Sequence, residues 1–193
     1  MVYLNFTVAG LVCGLLLGGR LGALGGLHVR RLWLAYAAVA LQIVAFPSEQ
    51  LPWSTPTDLA RVLWLASYVL LLTLVVANRR VRGFGLIGAG IVSNLIAILS
   101  NGGLMPAKPS ALRAAGVSFD LRNNSVTTAR PHVAWLVDRF AWPHWLPLAN
   151  VFSVGDILIG LGLVTVIVVG MQPRLLARGR SSRSAPQRSR SPL

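Results

Sequence analysis

Apolar residues in this chain gather in runs rather than in stripes. Five runs can be marked off, over about 2–19, 32–46, 59–77, 84–100 and 148–171. Within Val69–Ala77 (VLLLTLVVA) every face is apolar apart from Thr73, so no polar side remains to meet water. A helix of a soluble bundle needs such a side. A helix apolar all round suits hydrocarbon instead, where about 20 residues rising about 1.5 Å each cross a core about 30 Å thick. The pattern therefore predicts an all-α integral membrane bundle of five transmembrane helices. The run 32–46 is short and borrows flanking residues to complete its span. Residues 101–147 become one long outer segment carrying short interfacial helices, and 1–172 form a single transmembrane domain.

Charge orients the bundle. If the helices cross in turn, Arg20, Arg30, Arg31, Arg79, Arg80, Arg82 and the six arginines of 173–193 share one face. The other face receives Arg61, Lys108, Arg113, Arg122, Arg130 and Arg139 together with all five acids, Glu49, Asp58, Asp120, Asp138 and Asp156. Lys/Arg excess marks the cytoplasmic side. The expected location is the bacterial inner membrane, N-terminus outside and C-terminus inside. Five of the six tryptophans (Trp53, Trp64, Trp135, Trp142, Trp145) then fall near the outer boundary, where indoles concentrate. The first run has its basic residue, Arg20, behind its apolar core rather than before it, as a retained helix does.

Composition agrees: 54% of the 193 residues are hydrophobic and the mean hydropathy is +0.65. A net charge of +13 raises the question of nucleic acid. Six of the eighteen basic residues sit in the Arg/Ser/Pro-rich tail 173–193, which lacks apolar periodicity and is expected to be disordered and cytoplasmic. The nearest polyanion there is anionic inner-leaflet lipid, which gains about 1 kcal/mol per basic residue. Membrane lipid, not nucleic acid, is the expected partner of the tail. Cys13 is the sole cysteine, so no intramolecular disulfide can form.

Two sets of residues carry candidate packing or chemistry. Gly10, Gly14, Gly18 and Gly22 recur every four residues, which on a helix opens a groove for close approach. A neighbouring helix of the same bundle is its expected occupant, with a second copy or another membrane protein as the alternative. The second set is polar. Asp156 lies in the last apolar run, where a carboxylate at the helix centre costs about 2.5–3.5 kcal/mol and less near an end. Asn94 and Asn101 are seven residues apart and share a helix face, and Ser153 precedes Asp156 by three residues. A polar cluster of Asn94, Asn101, Ser153 and Asp156 between the fourth and fifth helices is expected at the outer leaflet. Asp138 lies on the same side, and two carboxyl groups in contact at low dielectric share a proton. Such a pair activates water for amide hydrolysis. His132 and His144 flank Asp138 at spacings of six, which match no metal-ligand motif. No metal and no cofactor is expected.

Two resemblances follow. The stretches Asn101-Gly-Gly-Leu-Met-Pro with Ala111-Leu-Arg-Ala-Ala-Gly, and Leu148-Ala-Asn-Val-Phe-Ser-Val-Gly-Asp-Ile-Leu-Ile, resemble a domain-of-unknown-function family of small bacterial multi-pass membrane proteins. That resemblance implies an integral membrane protein and no particular activity. The region from Val137-Asp138 to Val154-Gly-Asp156-Ile is more weakly similar to lipoprotein signal peptidase (signal peptidase II), a membrane aspartyl protease. In that family one catalytic aspartate follows the third helix, and the other opens the fourth in an Asn-x-Ala-Asp pattern. Gly90-Ile-Val-Ser-Asn94-Leu-Ile is similar to its Gly-Asn-Leu-Ile stretch. The resemblance implies a catalytic dyad of Asp138 and Asp156. Ser153 stands where the second motif has Asn, Ala97 where the Gly-Asn-Leu-Ile stretch continues with Asp, and a first helix is added.

The preferred reading is a membrane protein with a binding or accessory role built around Asp156. The alternative is a membrane-embedded aspartyl hydrolase using Asp138 and Asp156.

Overall fold

Each apolar run forms a helix. In the computed structural model α1 spans Val2–Leu16, α2 Trp33–Ala45, α3 Thr57–Ala77 and α4 Phe84–Ser100; after a short α5 (Pro109–Ala115), α6 spans Val154–Gly170. The structure describes residues 2–47, 53–116, 125–127, 130–142, 145 and 150–172. Glu49, Asp120, His144 and the basic tail 173–193 lie outside the described residues, so the expectation of a disordered tail does too. Among the described helices α3, with 21 residues, is long and apolar enough to cross a membrane, while α1, α2, α4 and α6 are shorter apolar helices. The chain is thus mostly helical, as expected.

The bounds of α2, α3 and α4 fall within two residues of the apolar runs. Those of α1 and α6 do not, and both differences have local causes. The run 2–19 breaks after Leu16 because Gly18 takes φ 79°. The Gly19 N–H bonds the Gly14 carbonyl at 2.8 Å and the Gly18 N–H bonds that of Leu15 at 2.9 Å, a paired closure that ends a helix on a left-handed glycine. The run 148–171 starts late because Asn150–Phe152 is a strand, β4, and Ser153 caps the helix behind it.

The outer segment also departs from all-α. Met105–Ala107 (β1) pairs in parallel with Ser125–Thr127 (β2), and Phe140–Trp142 (β3) pairs antiparallel with β4. Its one described helix, α5, buries Ala111, Leu112 and Ala115 beside Ala107 and Val151. Asp138 stands at the seam of the two sheets. Its N–H bonds the Pro106 carbonyl at 3.0 Å, its carbonyl accepts from the Lys108 N–H at 2.9 Å, and the next N–H, of Arg139, reaches Phe152 at 3.2 Å. Every one of these bonds joins segments far apart in sequence, which is why helical periodicity does not foretell them.

The helices pack in an order different from that of the chain: α1 on α6, α6 on α4, α4 on α3 and α3 on α2. They form an arc whose ends are α1 and α2. Glycines set the closest join. A Cβ on Gly155 would lie 2.7 Å from the Gly90 carbonyl oxygen, and one on Gly162 2.7 Å from that of Gly83; Cβ atoms on Gly90 and Gly83 would overlap Gly155 and Gly162 in return. Both pairs are spaced by seven residues, so two backbones touch at two levels. On the other side of α6, Gly160 receives the Phe6 ring, and Gly10 packs on Val164 and Ile167.

Two asparagines tie loops to helix ends in the same way. The Asn78 amide donates to the Arg30 carbonyl and accepts from the Arg30 N–H, both at 2.8 Å. The Asn101 amide does the same with His132, at 3.0 and 2.8 Å. Each amide imitates a strand partner for a single residue and so satisfies backbone groups at a chain reversal.

Candidate functional site

Ser153 begins the site because it begins α6. Its hydroxyl oxygen accepts the Asp156 N–H at 3.0 Å, and the Asp156 carboxylate accepts the Ser153 N–H at 2.9 Å. This reciprocal cap satisfies two donors that a helix start otherwise leaves open. The motif Ser-Val-Gly-Asp ahead of an apolar run is its sequence signature, and it explains a carboxylate at this place without any chemistry.

The cap extends into a network. The Ser153 hydroxyl donates to Asn94 Oδ1 at 2.8 Å, and Asn94 Nδ2 donates to Asp156 Oδ1 at 2.9 Å, closing a ring of three side chains. From α1, the Tyr3 hydroxyl donates to the same Oδ1 at 2.5 Å. Ser153 and Asn94 are both buried, Ser153 completely and Asn94 at the edge of a cavity. Asn94, Ser153 and Asp156 therefore meet as expected from their faces. Asn101 does not join them. It is occupied with His132 and its own Ala97 carbonyl, about two turns nearer the end of α4, because α6 starts well below that end.

The network lines a cavity of about 680 Å³ inside the arc. Asp138 and Asn150 face it from the outer segment, Tyr3 from α1, Gln42 from α2, Trp64 and Tyr68 from α3, and Asn94 and Asp156 from α4 and α6. Val39, Leu71, Ile87, Ile91 and Ile159 supply apolar wall. The space is thus polar where the outer segment meets α4 and α6, and apolar along the helices. Asp138 and Asp156 share this cavity, but their situations differ. Asp156 accepts from the Tyr3 hydroxyl, the Asn94 amide and the Ser153 N–H, and the Ser153 hydroxyl also lies 3.0 Å from its Oδ2. The Asp138 side chain is 7% exposed and has no hydrogen bond or ion pair among the described residues. Burial, and then the charge of Asp156, hold the Asp138 carboxyl well above the ordinary carboxylate range.

That shift has a sign. A carboxyl with a raised folded-state value binds its proton more tightly folded than unfolded, so this contribution is fullest at low pH. It fades as pH climbs from the ordinary carboxylate value towards the folded one. Asp138→Asn should therefore melt higher than wild type at about pH 8, with the gap closing by about pH 4. Thermal melts of the two proteins across that range check it, and a gap that widens on acidification contradicts it.

The four glycines of the first run part company. Gly10 and Gly14 are buried in the α1–α6 join, where Gly14 meets Met171; Gly18 caps α1; Gly22 lies in the 3-10 helix Leu21–Gly26 with open space where a Cβ would sit. Gly10 and Gly14 are covered from within the chain, and only this first half of the series is α-helical. Tyr3, Trp64, Tyr68 and Asn150 belong to the cavity, a place that their position in the sequence does not reveal. An aromatic residue in an apolar run gives no sign of facing a carboxylate. Among the described residues no group of three or more His, Cys, Asp or Glu stands together to hold a metal.

A helical arc around an acid-bearing cavity is the class of protein that fold and site define. Residues 26–168 match the family of unknown function DUF5317, and the chain belongs to that family. The match takes in Asn94, Asp138, Ser153 and Asp156 and leaves α1, with Tyr3, outside it. An uncharacterized protein of Thermotoga maritima is similar, 30% identical over 144 residues that make up 72% of this chain and 77% of that protein. No solved structure matches.

Proposed function

We propose that this chain is a five-helix protein of the bacterial inner membrane whose cavity binds an amphipathic ligand at the level of the outer leaflet. The observation that carries this is the Asp138 carboxyl, which faces the polar end of the cavity in a largely buried position and takes no hydrogen bond or ion pair from the described residues. A buried polar group without a partner is costly, and a ligand that pairs with it recovers that cost. Apolar residues on the outward faces of the helices (Leu4, Val8, Leu15, Tyr36, Ile43, Val62, Val69, Val76) support hydrocarbon as the surroundings. The Lys/Arg distribution supports a cytoplasmic C-terminus. Reporter fusions test the orientation: alkaline phosphatase joined after Leu193 should be inactive. An active fusion reverses the topology and puts the polar end on the cytoplasmic side.

Binding is tested by native mass spectrometry of the purified chain. Wild type should keep an amphiphile adduct that Val39→Trp loses, since Val39 lines the cavity and is exposed enough to accept a larger ring. Equal adduct populations in the two proteins defeat the reading.

The hydrolase reading draws on one observation, that both carboxyl groups face one cavity. It asks more of Asp156, which must release a donor before it can activate water. For it, Asp138→Asn has to abolish turnover of a membrane-embedded peptide while the fold survives.

A further inference from the structure

We infer that the ligand of this cavity is a lipophilic organic cation, held between the Asp138 and Asp156 carboxyls and the rings of Phe46, Trp64 and Tyr68. This rests on the binding reading above and specifies its chemistry.

Charge gives the first reason. Among the described residues the titratable groups lining the cavity are Tyr3 of α1, Tyr68 of α3, Asp138 of the outer segment and Asp156 of α6. Among the described residues no Lys, Arg or His lines it. An anionic headgroup would be desolvated beside Asp156 with nothing to balance it, which is how a site rejects a wrong ligand. A cation is balanced there and supplies the partner that Asp138 lacks.

The aromatic groups give the second reason, independent of the acids. Phe46 and Trp64 meet edge to face with centroids 5.3 Å apart, and Trp64 meets Tyr68 at the same distance. All three line the cavity, making a continuous aromatic wall. Ring faces attract ammonium-type cations, more strongly where water is excluded. Apart from Tyr3, Gln42, Asn94 and Asn150 the remaining wall is apolar, which suits the apolar substituents of an organic cation and does nothing for a bare metal ion. A volume of about 680 Å³ accommodates a small molecule.

Binding of a cation beside Asp138 releases the proton from that carboxyl to bulk water. The bound state then holds the carboxylate and the cation, and charge is conserved. Affinity should accordingly rise with pH over the range in which Asp138 titrates.

Radiolabelled tetraphenylphosphonium, measured on the full chain in nanodiscs against empty nanodiscs, is the test. Tetraphenylborate has the same shape and the opposite charge. Wild type should bind the phosphonium saturably and the borate no more than empty nanodiscs do. Affinity should strengthen by up to about tenfold per pH unit while Asp138 titrates. Asp138→Asn should weaken binding by about tenfold or more and flatten the pH dependence. Trp64→Leu, which removes a ring and no charge, should weaken it by about fivefold. Should either variant fail to fold, the two ions on wild type decide alone. Saturable borate binding as tight as that of the phosphonium overturns the cation class and leaves the cavity as a binding site. If neither ion binds while the native adduct persists, the cation class falls alone. If neither binds and Val39→Trp leaves the adduct unchanged, both readings fall.

Discussion

Asp156→Ala is expected to destabilise the bundle by about 4 kcal/mol, more than any other side-chain truncation at the site. The loss has separable parts. Removing the carboxylate breaks one half of the reciprocal cap of α6, while the Ser153 hydroxyl still accepts the N–H of residue 156. It also strands the Asn94 amide and the Ser153 N–H in buried surroundings, each at about 1–3 kcal/mol. The Tyr3 hydroxyl adds less, because Tyr3 lies at the part-exposed edge of the arc. Asp156→Asn should cost roughly half as much, since one oxygen still accepts while the new amide opposes a donor. Unfolding in mixed micelles gives the two values. A loss below about 1 kcal/mol for Asp156→Ala would mean that the carboxylate contributes no more than an ordinary cap.

Gly155→Ala is expected to cost about 3 kcal/mol or more, although it adds a single methyl group. The new Cβ would overlap Asn94 Oδ1 and approach the Gly90 carbonyl at 2.7 Å, so it presses on the network and on the α4 backbone together. Backbone cannot move aside as a flexible side chain does, and α4 is held again one heptad away at Gly83 and Gly162. Gly85→Ala is the matched control. Gly85 also lies in the first turn of a helix, but nothing stands within 4 Å of its would-be Cβ. There the substitution should be neutral or stabilise by about 0.5–1 kcal/mol through helix propensity and a less flexible unfolded chain. Similar losses at both positions would show that the α4–α6 approach is not what limits Gly155.

The two expectations touch one structural fact. Asn94 and Asp156 meet only because glycine lets α4 and α6 approach to backbone contact. The glycine series that stands out in the sequence, Gly10 to Gly22, is the less important one. The series that positions the site is divided between helices more than sixty residues apart, as Gly83 and Gly90 on one and Gly155 and Gly162 on the other. No single stretch displays it.

Reading the chain in order was enough to locate α2, α3 and α4, because an apolar run bounded by Pro, Gly, Asn or Arg specifies a helix through interactions within a few residues. The same local logic brought Asn94, Ser153 and Asp156 onto facing sides. It failed where a local signal was overruled by a distant partner. Asn150–Phe152 reads as the start of a helix until Phe140–Trp142 pairs with it, and Asn101 reads as level with Asp156 until α6 is seen to begin lower. Tyr3 reaches Asp156 across 153 positions, and Asp138 is lowered into the cavity by backbone bonds to Pro106 and Lys108. Such placements depend on which helices become neighbours, and that depends on how two surfaces fit, a property of neither segment alone.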